Sequence, residues 1–188
     1  MFMLAYTFWH WRKASVPRHD YEARVQQFHL ALRAHPSAGF SRSYSLAFIG
    51  APWANAGAEA YEDWYLVEGS AALDPLNEAA ISASRQVPHD AAAAAAAGGT
   101  AGLYRLRLGT WSKPPTCAYW FAKPAGASYP GLFEVLQPLI SNIGGALWAR
   151  QMTLGPSPEF CLHVPGETSL PGIDRALLLQ LRSVWPSA

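Results

Sequence analysis

Charge is scarce in this chain. Only 14% of its 188 residues are Asp, Glu, Lys or Arg, and the formal net charge is +1. A nucleic-acid surface needs a basic stripe, and none is visible. The group Arg105, Arg107 and Lys113 reads as a solvated strand edge. Long apolar runs are missing too, since no stretch approaches the roughly 20 residues that a membrane-spanning helix needs. The apolar start "MFMLAYTFWHWRK" carries its positive charges after the apolar run, the reverse of a secretory leader, so it reads as a buried strand of a cytoplasmic protein. Two cysteines outside any CxxC pair build no disulfide framework, and reduced thiols are expected. The six histidines contain no HxH or i, i+4 pair, so no metal site is expected. No GxSxG elbow, P-loop or GxGxxG string occurs.

Apolar material is plentiful. Hydrophobic residues make up 51% of the chain and eight are Trp, which requires two-sided packing or a ligand pocket. Residues 4–12 alternate with large side chains on both faces: Leu4, Tyr6, Phe8 and His10 on one, Ala5, Thr7, Trp9 and Trp11 on the other. Asp20 is placed to cap a helix whose stripe is Tyr21, Val25, Phe28, Leu32 and His35, ended by Pro36 and Gly39. "FSRSYSLAFIG" and "YEDWYLVEG" read as strands around a Pro, Asn and Gly loop. A short helix starts at Ser70. The alanine run "PHDAAAAAAAGG" reads as a helix capped by Asp90 and stopped by Gly98–Gly99, before the strand "GLYRLRLG". This β-α-β-β-α-β order is the split, ferredoxin-like pattern.

After the linker "TWSKPP" the order begins again. "CAYWFAK" echoes "LAYTF", a helix starts behind Ser128 with Pro138 expected to kink or shorten it, and "ALWARQMTL" and "EFCLHV" are strands. "PGIDRALLLQLRSVW" reads as a last helix, which leaves the fourth strand absent. The expectation is two ferredoxin-like repeats, 1–112 and 113–188, the second lacking its last strand. Its open sheet edge would favour self-association as a homodimer.

With that order in place, "LAYTFWHWR", "DYEARVQQFHLALRAHP" and "YEDWYLVEGSAALDPLNEAA" resemble the dimeric α+β barrel superfamily. That group includes antibiotic-biosynthesis-type monooxygenases, EthD-like and stress-responsive proteins and, as fused repeats, chlorite-dismutase-like haem proteins. The resemblance implies an α+β fold in which antiparallel sheets pack face to face as one intrachain barrel around a cavity. Haem-binding members carry their ligand in the second repeat, commonly on a helix. The only second-half histidine here is His163, on a strand, so no cofactor is expected.

Phe160, Leu162 and Val164 read as helix-facing, which turns Cys161 and His163 inward, with Trp64 and Leu66 as their counterparts in the first half. Strand one adds Tyr6 and His10, or Trp9 and Trp11, depending on which face is inward. Tyr6, His10, Trp64 and His163 are therefore the candidate residues for a small apolar or aromatic ligand. The bland alternative for each is a core side chain with one satisfied hydrogen bond. Two classes remain open. One is a cofactor-independent monooxygenase or isomerase acting on an aromatic compound. The other is a non-catalytic ligand-binding or sensor module; a haem-binding protein ranks third. A polar group at the floor of a closed pocket would favour the enzyme.

Overall fold

A computed structural model of the chain describes residues 3–111 and 113–186. The expected boundary between repeats falls at Ser112, outside the described residues. In chain order the elements are β1 (Leu4–Arg12), α1 (Arg18–Ala34), β2 (Phe40–Ile49), β3 (Glu59–Val67), α2 (Leu73–Ala80), α3 (Gln86–Ala95) and β4 (Ala96–Gly109). Then come β5 (Cys117–Phe121), α4 (Tyr129–Ile143), β6 (Ala146–Arg150), β7 (Phe160–Val164), β8 (Leu177–Gln180) and β9 (Arg182–Trp185).

The nine strands of the described residues form one antiparallel sheet in the order β8-β5-β7-β6-β4-β1-β3-β2-β9. Its two edges are successive pieces of one segment. β8 pairs with β5, β9 pairs with β2, and only Leu181 lies between them. The Leu181 amide donates to the Thr116 carbonyl at 2.8 Å, so hydrogen bonding continues across the junction. The sheet is thus nearly closed into an α+β barrel.

This corrects the expected last helix and the absent fourth strand. In the segment from Leu177, Leu179 and Leu181 are buried while Gln180 and Arg182 are exposed, a period of two. The apolar run "LLLQL" fits either period. Two unpaired sheet edges decide for strand, because their amides and carbonyls need partners. The exposed edge that argued for a homodimer is paired here.

Strand parity separates two cores. Ala5 and Trp9 of β1, Trp64 and Leu66 of β3, Trp120 of β5 and Trp148 of β6 fill the barrel interior. The opposite faces carry the helices. α1 lays Tyr21, Val25, Phe28 and Leu32 on β1 and β3, and α4 lays Leu132, Leu136 and Ile140 on β5, β6 and β7.

Three local expectations are also corrected. Asp20 lies in the first turn of α1 and makes no cap bond; Pro17 is the N-cap residue. α3 starts at Gln86 and ends at Ala95, so Asp90 is inside it and Gly98–Gly99 belong to β4. Those glycines admit aromatic rings, since a Cβ on Gly98 would sit 2.6 Å from the Trp11 ring and one on Gly99 2.5 Å from that of Phe8. Pro138 lies inside α4 without ending it. It and Glu134, whose carbonyl loses the amide partner, are exposed, so water can serve that oxygen. Leu179→Ala tests the closing strand: a urea melt is expected to show a loss of about 2–5 kcal/mol. A loss below about 0.5 kcal/mol would mean that this segment is not part of the barrel core.

Candidate functional site

The cavity lies outside the barrel, between the sheet and α1–α3, with a volume of about 490 Å³. Tyr6, Phe8 and His10 of β1 and Asp63 and Tyr65 of β3 form its floor. Tyr21, Val25 and Phe28 of α1 form one wall, and Leu76 of α2 with Ala92 and Ala93 of α3 form the other. A more open depression at one end of the barrel includes Trp53, Trp120 and Ser157.

The floor holds a buried polar cluster. β1 and β3 place Phe8 opposite Asp63 and His10 opposite Tyr61, so His10 and Asp63 are diagonal neighbours on the outer face. His10 Nε2 and His29 Nε2 each lie 3.2 Å from Asp63 Oδ2. The Tyr65 hydroxyl donates to the same oxygen at 2.9 Å. On the far side of each imidazole, His10 Nδ1 meets the Tyr21 hydroxyl at 2.6 Å and His29 Nδ1 meets Ser43 Oγ at 2.7 Å. Stacked rings hold the imidazoles in place. Tyr61 lies 5.5 Å from His10 at 9°, and Tyr65 lies 5.4 Å from His29 at 9°. Trp185 of β9 stacks on His29 from 6.1 Å, so the closing strand also supports the cluster.

Burial alone would raise the Asp63 pKa, but the His10 and His29 imidazoles beside it outweigh that and hold the carboxyl well below the usual carboxylate range. Burial, reinforced by Asp63, pushes the Tyr21 and Tyr65 hydroxyls well above their ordinary value. Both phenols therefore remain protonated at neutral pH. Among the described residues Asp63 Oδ1, His10 Nε2 and His29 Nε2 make no hydrogen bond, so the two imidazoles meet Oδ2 as ion pairs.

The four residues singled out in the sequence fall into two places. Tyr6 and His10 line this cavity. Trp64 and His163 sit inside the barrel, their rings 4.7 Å apart and edge-on, and do not line it. His163 is a core group: its Nε2 lies 3.3 Å from Glu62 Oε1 and 3.5 Å from Cys161 Sγ, and Trp111 lies 4.3 Å from its ring. Burial and the neighbouring Glu62 push the Cys161 thiol up, which leaves it protonated and a poor nucleophile. The inward turn of Trp64 and His163 is as expected; the face of β1, left open by the sequence, turns Trp9 inward and Tyr6 and His10 outward, and indoles fill the space between the sheet's inner faces.

Asp63, Tyr21, His29 and Tyr65 were missed. A search for histidine pairs along the sequence cannot find His10 and His29, which β1 and α1 bring to one carboxylate. The available signal was Asp63 itself. It shares strand parity with Tyr61 and Tyr65, on the face that α1 must cover, and a carboxylate there requires partners.

No family model and no curated protein matches the chain. Solved structures do, at the level of fold. A candidate monooxygenase from Fusobacterium nucleatum subsp. nucleatum matches with a TM-score of 0.62 and 8% identity, over 97% of this chain and 92% of its own. One from Lactobacillus acidophilus matches with a TM-score of 0.56 and 10% identity, over 96% and 94%. A candidate chlorite dismutase matches with a TM-score of 0.50 and 10% identity, over 98% and 96%. These likenesses establish a shared α+β barrel fold.

The last of them raises the question of haem. An axial histidine must stand beside room for a flat macrocycle. His163 is enclosed by Trp64, Trp111 and Glu62. Among the described residues no Lys or Arg lines the cavity to meet the propionates, whereas Asp63 and Asp74 do. The residues do not fit haem.

The depressed Asp63 pKa sets a pH dependence. The ion stabilises the fold above its unfolded value, about 3.9, and that contribution is lost as pH falls below it. Melting temperature should therefore drop between pH 5 and pH 3. Asp63→Asn should cost about 3 kcal/mol at pH 7, the order expected for breaking a buried pair, and should flatten the acid limb. Parallel acid limbs in the two proteins would contradict the assignment.

Proposed function

We propose that this protein is a cofactor-independent monooxygenase or isomerase that removes a proton from an aromatic small molecule held between the sheet and α1–α3. The observation that carries this reading is the Tyr21–His10–Asp63 relay, which runs from the α1 wall to the floor of a mostly apolar cavity. A non-catalytic binder has no need of three buried, mutually oriented proton-transfer groups.

The relay uses the neutral form of His10. Asp63 faces His10 Nε2 and so favours the proton there, which leaves Nδ1 as acceptor for the Tyr21 hydroxyl. As a ligand C–H or O–H gives its proton to the Tyr21 oxygen, Tyr21 passes its own to His10 Nδ1. The imidazolium then stands opposite the Asp63 carboxylate, which stabilises it. A carbanion formed from a CH2 group between aromatic rings has two fates. Reprotonation at another carbon is isomerisation. Addition of O2, protonation to the hydroperoxide and loss of water convert CH2 and O2 into C=O and water. The monooxygenase designation of two fold neighbours supports the second fate.

The tandem repeat belongs to the same proposal. The sheet order contains β8-β5-β7-β6 followed by β4-β1-β3-β2. Numbered within each half, both runs read four-one-three-two, the arrangement expected of two ferredoxin-like units. Two buried free cysteines suit a reducing, cytoplasmic setting.

Anthrone, a three-ring ketone with one acidic CH2, provides the test. Deuterium incorporation at that carbon, followed by NMR under nitrogen, should be accelerated by the wild-type protein, and His10→Gln should slow it at least 100-fold. Exchange at the wild-type rate in the variant would refute the relay.

A further inference from the structure

Three phenols line the cavity: Tyr6, Tyr21 and Tyr65. Two of them are engaged with protein partners. The Tyr21 hydroxyl meets His10 Nδ1 at 2.6 Å, and that of Tyr65 donates to Asp63 Oδ2. The Tyr6 hydroxyl has no hydrogen-bond partner among the described residues. Tyr6 is also the accessible one, 37% exposed against 1% for Tyr21 and 7% for Tyr65. Burial of the rest of its side chain raises its pKa, so the phenol keeps its proton at neutral pH and can donate. Its ring is held against that of Tyr65, with centroids 6.1 Å apart at 29°.

The relay creates a need for such a donor. An imidazole working through a phenol is a weak base. Carbon gives it a proton only where the charge left behind moves onto an electronegative atom. In a flat ring ketone that atom is the carbonyl oxygen, conjugated with the acidic carbon. A charge forming there needs a donor already in place. Most other polar lining groups are committed elsewhere. His10 and Tyr21 handle the proton being removed, Asp63 and Asp74 are acceptors, and His89 meets Asp90 at 3.0 Å. Asn77 stands on α2, at the exposed rim. Tyr6 shares the outer face of β1 with His10, four residues or about 13 Å away, and Phe8 lies between them as an apolar platform. One flat molecule over Phe8 can meet the relay at one end and Tyr6 at the other.

We propose that Tyr6 is a catalytic residue of this cavity, donating its hydroxyl hydrogen bond to a ketone oxygen of the ligand as the charge left by the departing proton moves onto that oxygen. This rests on the reading of Tyr21, His10 and Asp63 as the proton relay. The step balances within the site. The C–H bond breaks, its proton goes to the Tyr21 oxygen, and Tyr21 gives its own proton to His10 Nδ1. The C–H electron pair enters the ring and C=O becomes C–O⁻. The enolate and the imidazolium form together, so the cavity gains no net charge. A ring hydrocarbon of the same shape binds without reacting.

Tyr6→Phe keeps the ring and removes only the hydroxyl. Deuterium incorporation into anthrone, measured under nitrogen over a range of anthrone concentrations, should show turnover falling by about tenfold or more, with KM changed by less than about threefold. That is the signature of an interaction made in the transition state. 1-Aminoanthracene, fluorescent and without a carbonyl, should bind wild type and variant with affinities within about threefold. The melting temperature should not fall, because no protein contact is lost. Wild-type turnover in Tyr6→Phe, with His10→Gln slowed, overturns the role of Tyr6 and leaves the relay standing. A raised KM with unchanged turnover makes Tyr6 a ground-state contact and overturns the inference as well. A wild-type protein that does not accelerate the exchange overturns this inference together with the relay.

Discussion

Two adjacent carboxylates in β3, Glu62 and Asp63, are both buried, and strand parity sends them to opposite faces of the sheet. That constraint organises the rest of the molecule. A buried carboxylate needs donors and a compensating charge, and each of these has histidine on its side. Glu62 meets His163 and the indole N–H of Trp9 inside the barrel, at 3.3 Å each. Asp63 meets His10 and His29 under the helices. A one-residue slip of β3 would exchange the two carboxylates and leave both without their partners, so the pair fixes the register of the sheet.

The two faces do different work. Inside, Trp9, Trp64, Trp120 and Trp148 are fully buried and in mutual ring contact, with Trp9–Trp120 at 5.7 Å and Trp64–Trp148 at 5.3 Å. Each ring removes about 150–250 Å² from water, and edge-to-face pairs add roughly 0.5–1.5 kcal/mol beyond that. The result is a stiff wall, with β8 and β9 binding its two edges. On the outer face that stiffness holds His10, Asp63 and Tyr65 in fixed geometry. Opposite them α3 presents Ala92 and Ala93, and a cavity remains between the sheet and α1–α3.

Much of the fold was legible. Alternation in β1, β2, β3 and β7 and the stripe of α1 follow directly from the residues, as does the inward turn of Trp64 and His163. The closing strand was not, because a run of leucines has no period of its own and only the unpaired edges of β5 and β2 choose for it. Gly98 and Gly99 misled for a similar reason: their purpose is to admit Trp11 and Phe8, which are distant in sequence. For the site, Tyr6 and His10 were named for a cavity inside the barrel and line the one under the helices, because parity alone does not say which face of β1 turns inward. Asp63 comes from β3 and Tyr21 and His29 from α1, and only folding brings them together.

The central claim is that ligand enters between the sheet and α1–α3 and not inside the barrel. Alanine methyls report on both places. With the chain labelled at alanine methyl carbons, addition of 1-aminoanthracene should shift the signals of Ala92, Ala93, Ala96 and Ala80, which line the cavity, and leave those of Ala5, Ala60, Ala118 and Ala146 in the barrel core in place. Shifts confined to the barrel alanines would contradict the account.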